Sequence, residues 1–346
     1  MQISHECCLR VGRYDPLEKQ TELWWSGAGI VTKLYCTYLK LDIESFAQEH
    51  APWIGVMVDG AAIARFPLLP GRHVYPALAG MDAAVSHEIT IQRDSQPTID
   101  ETGPIILHGI DTDGQPAMPE KRQFMIEFIG DSLTVGEGCT GPKPADEWRM
   151  AWLCNMAAFP TIVAESMQAE KRVIALSGWG TWKSWDGMEQ NRIGRIYEML
   201  CGAIPAGEKP YGFQERPANA VVINLGTNDA NAYRQSENQN DAAQQITKRA
   251  EELMTLVRKH QPNAWILWAY GLCGNDIAPF IREAVANREN AGDDRVAYLA
   301  LDDCHGDVGS RQHPSRAAHR HAAEQILREL RQRLAPDEKE GNASCE

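Results

Sequence analysis

Four short blocks of this 346-residue chain carry the residue types that acyl transfer needs. In IEFIGDSLTVGEG, Ser132 follows a compact apolar run and precedes a glycine-rich bend, so its hydroxyl could act as a nucleophile if a base takes its proton. The block does not match the G-x-S-x-G elbow, because Thr134 stands two residues past the serine. In ALSGWGTWKSW, Gly178 or Gly180 could bring a backbone N–H close to an oxyanion. In VVINLGTNDAN, Asn228 could aim a side-chain amide at developing negative charge. In GSRQHPSRAAHRHAAEQI, His313 stands in a loop before a helical pattern and could serve as general base.

Alone, each block has an ordinary explanation: a helix-capping serine, a loop glycine, a turn-forming Asn-Asp, a solvated histidine. The argument lies in their conjunction, and that depends on the elements that position them. From Gln123 onward, compact apolar runs at Phe124 to Ile129, Val173 to Leu176, Ala220 to Asn224, Trp265 to Tyr270 and Val296 to Ala300 alternate with helical patterns. Asp241 to His260 places Ile246, Ala250, Leu253 and Val257 on one face, and Ser315 to Leu334 does so with Ala318, Ala322, Ile326 and Leu330. Short apolar strands between amphipathic helices predict a five-stranded parallel sheet covered on both faces, with the working residues at its carboxyl end. Three of the four blocks follow a predicted strand directly, and the fourth precedes the last helix. His319 and His321 lie inside that helix pattern and read as surface residues.

Residues 21 to 110 have another rhythm. Ile30 to Ile43, Ile54 to Val58, His73 to Leu78, His87 to Ile91 and Ile105 to Ile110 are rich in β-branched and aromatic residues and closed by turns such as Asp59-Gly60, which predicts an all-β sandwich. The polar stretch 109–121 separates the two patterns, giving expected domains at 1–115 and 122–335 with a disordered tail at 336–346.

Composition sets limits on partners. With 34 Lys and Arg against 47 Asp and Glu, the net charge is −13 and no basic stripe offers itself to phosphate, so nucleic acid is not an expected partner, whereas a neutral sugar is compatible. No apolar run is long enough for a membrane span and no secretory signal pattern begins the sequence. Nine cysteines without a C-x-x-C pair argue for free thiols in a reducing cytoplasm, against a disulfide framework or a zinc site. The proposed chemistry calls for no metal or organic cofactor.

The order of the blocks resembles the SGNH hydrolase superfamily over roughly residues 122 to 334. That resemblance implies a flavodoxin-like fold for the parallel sheet, Ser132 in GDSL as nucleophile, Gly180 and Asn228 as oxyanion donors beside the Ser132 N–H, and His313 as base. The N-terminal VGRYDPLEKQTELWWSGAGIVTKL, the β-rich region and KRQFMIEFIGDSLTVGEG together look like carbohydrate esterase family two, in which a jelly-roll domain precedes the SGNH domain. The implied activity is removal of O-acetyl groups from xylo- or manno-oligosaccharides.

One position departs from the pattern. SGNH enzymes commonly carry Asp three residues before the histidine, where this chain has Ser310. Either a backbone carbonyl orients His313, leaving a Ser-His dyad, or Asp302, Asp303 or Asp307 reaches round to it. Trp179, Trp182 and Trp185 could stack on sugar rings, while Asp131 and Asp229 read as caps or loop braces. Competing readings are an SGNH thioesterase or lysophospholipase, and a carbohydrate-binding protein whose catalytic sheet has degenerated.

Overall fold

The computed structural model describes residues 7–213 and 216–335. The expected disordered tail lies outside these residues. The N-terminal strands are β1 (Leu9–Val11), β2 (Thr21–Leu23), β3 (Gly29–Leu34), β4 (Tyr38–Ser45), β5 (Trp53–Val58), β6 (Ala61–Pro67), β7 (Gly71–Ala79), β8 (His87–Arg93) and β9 (Ile105–Thr112), all paired antiparallel. One sheet runs β1-β3-β8-β5-β6 and the other β2-β9-β4-β7. From β2 to β9 this is the interleaving of a jelly roll, with β1 added at an edge. Alternate residues such as Leu39, Leu41 and Ile43 point inward to meet Ile54, Val56, Ile89 and Ile91 of the facing sheet.

Ile30 to Ile43, read as one strand from sequence, is two, because the chain changes sheets between Leu34 and Tyr38. The edge strand β6 was not anticipated: its side chains are exposed or half-buried, so no inward alternation marks it.

The parallel sheet comprises β10 (Phe124–Gly130), β11 (Ala169–Ala175), β12 (Ala220–Asn224), β13 (Trp265–Tyr270) and β14 (Val296–Ala300), in the order β11-β10-β12-β13-β14. This is the flavodoxin-like arrangement, and its switch point lies at β10, whose neighbours on the two sides are β11 and β12. The helices are α1 (Ser132–Val135), α2 (Phe159–Ser166), α3 (Ile193–Ile196), α4 (Thr227–Arg234), α5 (Gln239–His260), α6 (Ala278–Asn290) and α7 (Arg316–Leu334). Ile126, Phe128, Val222 and Leu267 pack beneath α2 and α7, while Val221, Ile223, Ile266 and Trp268 pack beneath α5 and α6. Both faces are therefore covered, which is why these strands are largely apolar on both sides.

β11 starts earlier than expected, because Glu170, Lys171 and Arg172 are buried rather than loop residues. Lys171 donates to Gln92 at 2.9 Å and Thr161 at 2.7 Å, and Arg172 meets Glu127 at 3.1 Å. Gln92 belongs to β8, so Lys171 ties the parallel sheet to the jelly roll. Trp24 and Trp25 enter the core of the parallel-sheet domain, and Trp25 Nε1 donates to the Leu200 carbonyl at 2.7 Å. No helix among the described residues is long and apolar enough to cross a membrane.

Candidate active site

β10 ends at Gly130, and Asp131 caps the short α1 by accepting the Leu133 N–H at 3.0 Å. Capping is thus done by the aspartate. Ser132 becomes the first helical residue, its hydroxyl released to a cavity of about 460 Å³ at the carboxyl end of the sheet. First-turn N–H groups have no partner inside a helix, so the Ser132 N–H is available beside its own hydroxyl.

His313 lines the same cavity. Its Nδ1 lies 2.9 Å from the Arg311 carbonyl, which places the donor hydrogen on Nδ1 and leaves Nε2 as the basic nitrogen. Of the two ways of orienting His313, this is the backbone-carbonyl one. The carboxylate alternative is corrected: Asp302 pairs with His321 at 2.9 Å, Asp303 accepts the His305 N–H at 2.7 Å, and Asp307 accepts the Ser315 hydroxyl at 2.6 Å. All three serve their own loop or the start of α7. The nearest acid to the imidazole is instead Glu137, buried, with Oε1 3.8 Å from Nε2.

The oxyanion assignment also changes. Gly180 is tied into its loop, donating to Asn191 O at 3.3 Å and accepting from Ile193 N at 3.2 Å, and it does not reach the cavity. A Cβ there would fall 1.9 Å from Lys183 O, so this glycine serves close packing. Gly178, at φ +81°, lines the cavity with Ser177 and is the glycine placed to offer an N–H. Asn228 lines it too. Its amide nitrogen donates to Trp179 O at 2.8 Å and Asp131 Oδ2 at 3.2 Å, so an oxyanion must compete with the longer of these bonds.

Asp229 braces the intervening loop, accepting N–H bonds from Thr181, Trp182 and Lys183 at 2.9, 2.6 and 3.0 Å. Burial pushes its carboxyl above the ordinary range despite those donors. Asp131 is pushed up to about 8, first by burial and then by the negative charge of Asp229 and Glu137. His319 corrects the surface reading. It is fully buried and stacked on Phe159 at 6.0 Å, with a pKa lowered to about 3 by burial and then by His313.

Comparison with known proteins places these features. The model of the GDSL-like lipase/acylhydrolase family matches residues 128–320, more than half of the chain. The chain belongs to that family. Residues 10–120 match the carbohydrate esterase 2 N-terminal domain. The chain is 26% identical over 322 residues to the cellulase/esterase CelE of Acetivibrio thermocellus, covering 90% of this chain and 37% of that protein. It is 27% identical over 162 residues to an acetylxylan esterase/glucomannan deacetylase of Cellvibrio japonicus, covering 46% of this chain and 44% of that one. The matches thus span well under two thirds of the length of either curated relative. Among solved structures, an acetyl xylan esterase from the rumen bacterium Butyrivibrio proteoclasticus superposes with a TM-score of 0.91 at 26% identity, covering 96% of this chain and 97% of that one.

Within this GDSL-like fold the three candidate tryptophans separate. Trp185 is exposed and lines the cavity, Trp179 lines an adjoining cavity of about 480 Å³, and Trp182 is buried in the core with Lys183 above its ring. The sugar-stacking reading therefore fails for Trp182. Sequence reasoning missed five cavity residues: Gln96, Glu137, Trp148, Ser177 and Arg311. Gln96 comes from the jelly roll and accepts the Ser177 N–H at 2.8 Å, so that domain supplies part of the wall. Arg93, ion-paired with Glu101, holds the Gln96 carbonyl at 2.7 Å. Only Glu137 had a usable signal, an acid five residues past the serine between two glycines.

Proposed function

We propose that this chain is a serine esterase that removes O-acetyl groups from acetylated xylo- or manno-oligosaccharides. The observation that carries the reading is a shared cavity: Ser132 and an imidazole anchored through Nδ1 open on the same space. Ser132 attacks the acetyl carbonyl while His313 Nε2 takes its proton, and the Arg311 carbonyl keeps Nδ1 protonated throughout. The N–H groups of Ser132 and Gly178 and the Asn228 amide hold the tetrahedral oxyanion. His313 then protonates the sugar oxygen as its bond to the acetyl carbon breaks, releasing the hydroxyl, and water, activated by the same nitrogen, hydrolyses the acetyl-serine.

The carbohydrate side of the reading is supported by the names of the similar proteins and by Trp148 and Trp185, whose flat faces suit a sugar ring. Purified protein should release acetate from acetylated xylo- or manno-oligosaccharides, and Ser132→Ala should abolish release. Full activity in that variant, or a preference for long acyl chains across a series of nitrophenyl esters, would overturn the proposal.

A further inference from the structure

We infer that Glu137 and Arg311 form a clamp that holds the base loop onto the nucleophile segment and keeps His313 oriented. The inference rests on the esterase reading and names two positioning residues within it. The loop before His313 is turned by two successive non-glycine residues in the left-handed region, Arg311 at φ +55° and Gln312 at φ +56°. L side chains disfavour this conformation, so something outside the turn must hold it. Yet the turn is what carries the Arg311 carbonyl back to His313 Nδ1.

What holds it is the segment that follows Ser132. Ser310 N–H donates to Gly138 O at 3.1 Å, Arg311 N–H donates to Ala145 O at 2.7 Å, and the Arg311 guanidinium bonds the Glu137 carboxylate. Glu137 is itself fixed to the nucleophile, donating its N–H to Ser132 O at 2.9 Å. A circuit therefore closes from Ser132 O to Glu137, to Arg311, to His313. The loops touch so closely that a Cβ on Gly138 would lie 2.4 Å from Ser310 O and 2.8 Å from His313 Cβ. Glu137 is almost wholly buried, so its carboxylate depends on Arg311 for charge compensation, and the same carboxylate stands 3.8 Å from the nitrogen that becomes positive during turnover. The clamp thus supplies what a carboxylate behind the imidazole would supply: a fixed ring and a nearby negative charge.

The test uses the full chain and the variants Glu137→Gln, Arg311→Lys, Arg311→Ala and Arg311→Gly. Measurements are nitrophenyl acetate kinetics, fluorophosphonate labelling of Ser132, the downfield proton resonance of His313 Nδ1, and thermal unfolding. Glu137→Gln should lower kcat by about a hundredfold, the cost of a small misplacement of a reacting group, and leave KM nearly unchanged. Arg311→Lys should fall between that variant and the wild type. Arg311→Gly should keep more activity than Arg311→Ala, because glycine takes a positive φ without strain. Wild-type kcat in Glu137→Gln, or equal activity in the glycine and alanine variants, would overturn the clamp. If Glu137→Gln fails to fold, the Arg311 series decides alone. A wild type that neither turns over nor is labelled would sink the esterase reading instead. The Nδ1 resonance judges the clamp apart from catalysis: it should be lost to exchange in Glu137→Gln and Arg311→Ala, and an unaltered signal rejects it.

Discussion

Buried carboxyls are treated differently in two regions of the parallel sheet. In the middle of the sheet, beneath the jelly roll, Glu127 meets Arg172 at 3.1 Å, Arg13 at 3.7 Å and the Tyr197 hydroxyl at 2.6 Å, all four side chains buried. Arg13 also donates to the carbonyls of Tyr197 and Met199 at 2.5 and 3.0 Å, tying the N-terminal segment to the loop after α3. At the carboxyl edge, Asp131 and Asp229 are just as buried but have only N–H donors, and among the described residues neither meets a cation within ion-pair distance. Their proton affinities rise accordingly. The matched charge of Glu127 is an anchor, whereas the unmatched Asp131 and Asp229 stand beside the residues assigned to the chemistry.

The two regions should separate cleanly under mutation. His313→Ala, at the edge, is expected to lower kcat/KM at least about ten-thousandfold. Its unfolding midpoint in urea should stay near the wild-type value, since the ring is partly exposed and holds no core element. A stability loss of the same order as the activity loss would show that the edge carries the fold, and the contrast would break. Glu127→Leu should do the reverse. With Arg13 and Arg172 left without their counterion, the expected cost is roughly 3–5 kcal/mol in urea unfolding, with turnover per folded molecule retained. Normal stability in that variant would mean that the network contributes nothing to the fold.

How far the sequence reached follows the same division. Features fixed by local pattern were legible: the bounds of β12, β13 and β14, the apolar stripes of α5 and α7, and the segments bearing Ser132, Asn228 and His313. Features fixed by contacts across the chain were not. Gly178 and Gly180 are equally good glycines in sequence, and only the Asn191 and Ile193 bonds show which one is occupied elsewhere. Glu170, Lys171 and Arg172 look like a solvated turn until their partners, 10 to 79 residues away in the chain, are seen. His319 was readable and was misread: it stands three residues before Ala322 and seven before Ile326, on the apolar stripe itself.

Proton linkage sharpens the comparison more gently. The folded-state pKa of Asp131, about 8, lies above its ordinary value of 3.8, so the folded state holds that proton more tightly than the unfolded chain does. The contribution of Asp131 to stability is therefore fully present below about pH 4, declines as pH rises from there through about 8, and is gone beyond, with a slope on the order of 1.4 kcal/mol per pH unit at most. Asp131→Asn removes the titration. The stability difference between variant and wild type should grow in the variant's favour across that window, and a difference independent of pH would place the carboxyl in a less punishing environment.

The smallest expected effect tests the base itself. Asp302 and Asp303 stand near His313 in sequence, and a carboxylate behind the imidazole would lower kcat/KM severely when neutralised, since the ring would lose its fixed tautomer. Here Asp302 forms an exposed pair with His321 and Asp303 an exposed turn with His305, while Nδ1 is already bonded to a backbone carbonyl that no side-chain substitution deletes. Asp302→Asn and Asp303→Asn should accordingly leave kcat/KM within about twofold of wild type, as expected for surface ion pairs of small worth. A hundredfold loss in either would return a carboxylate to the imidazole, remove the need for the Arg311 carbonyl, and dissolve the distinction between an edge whose histidine is held by a backbone carbonyl and a sheet interior held by ion pairs.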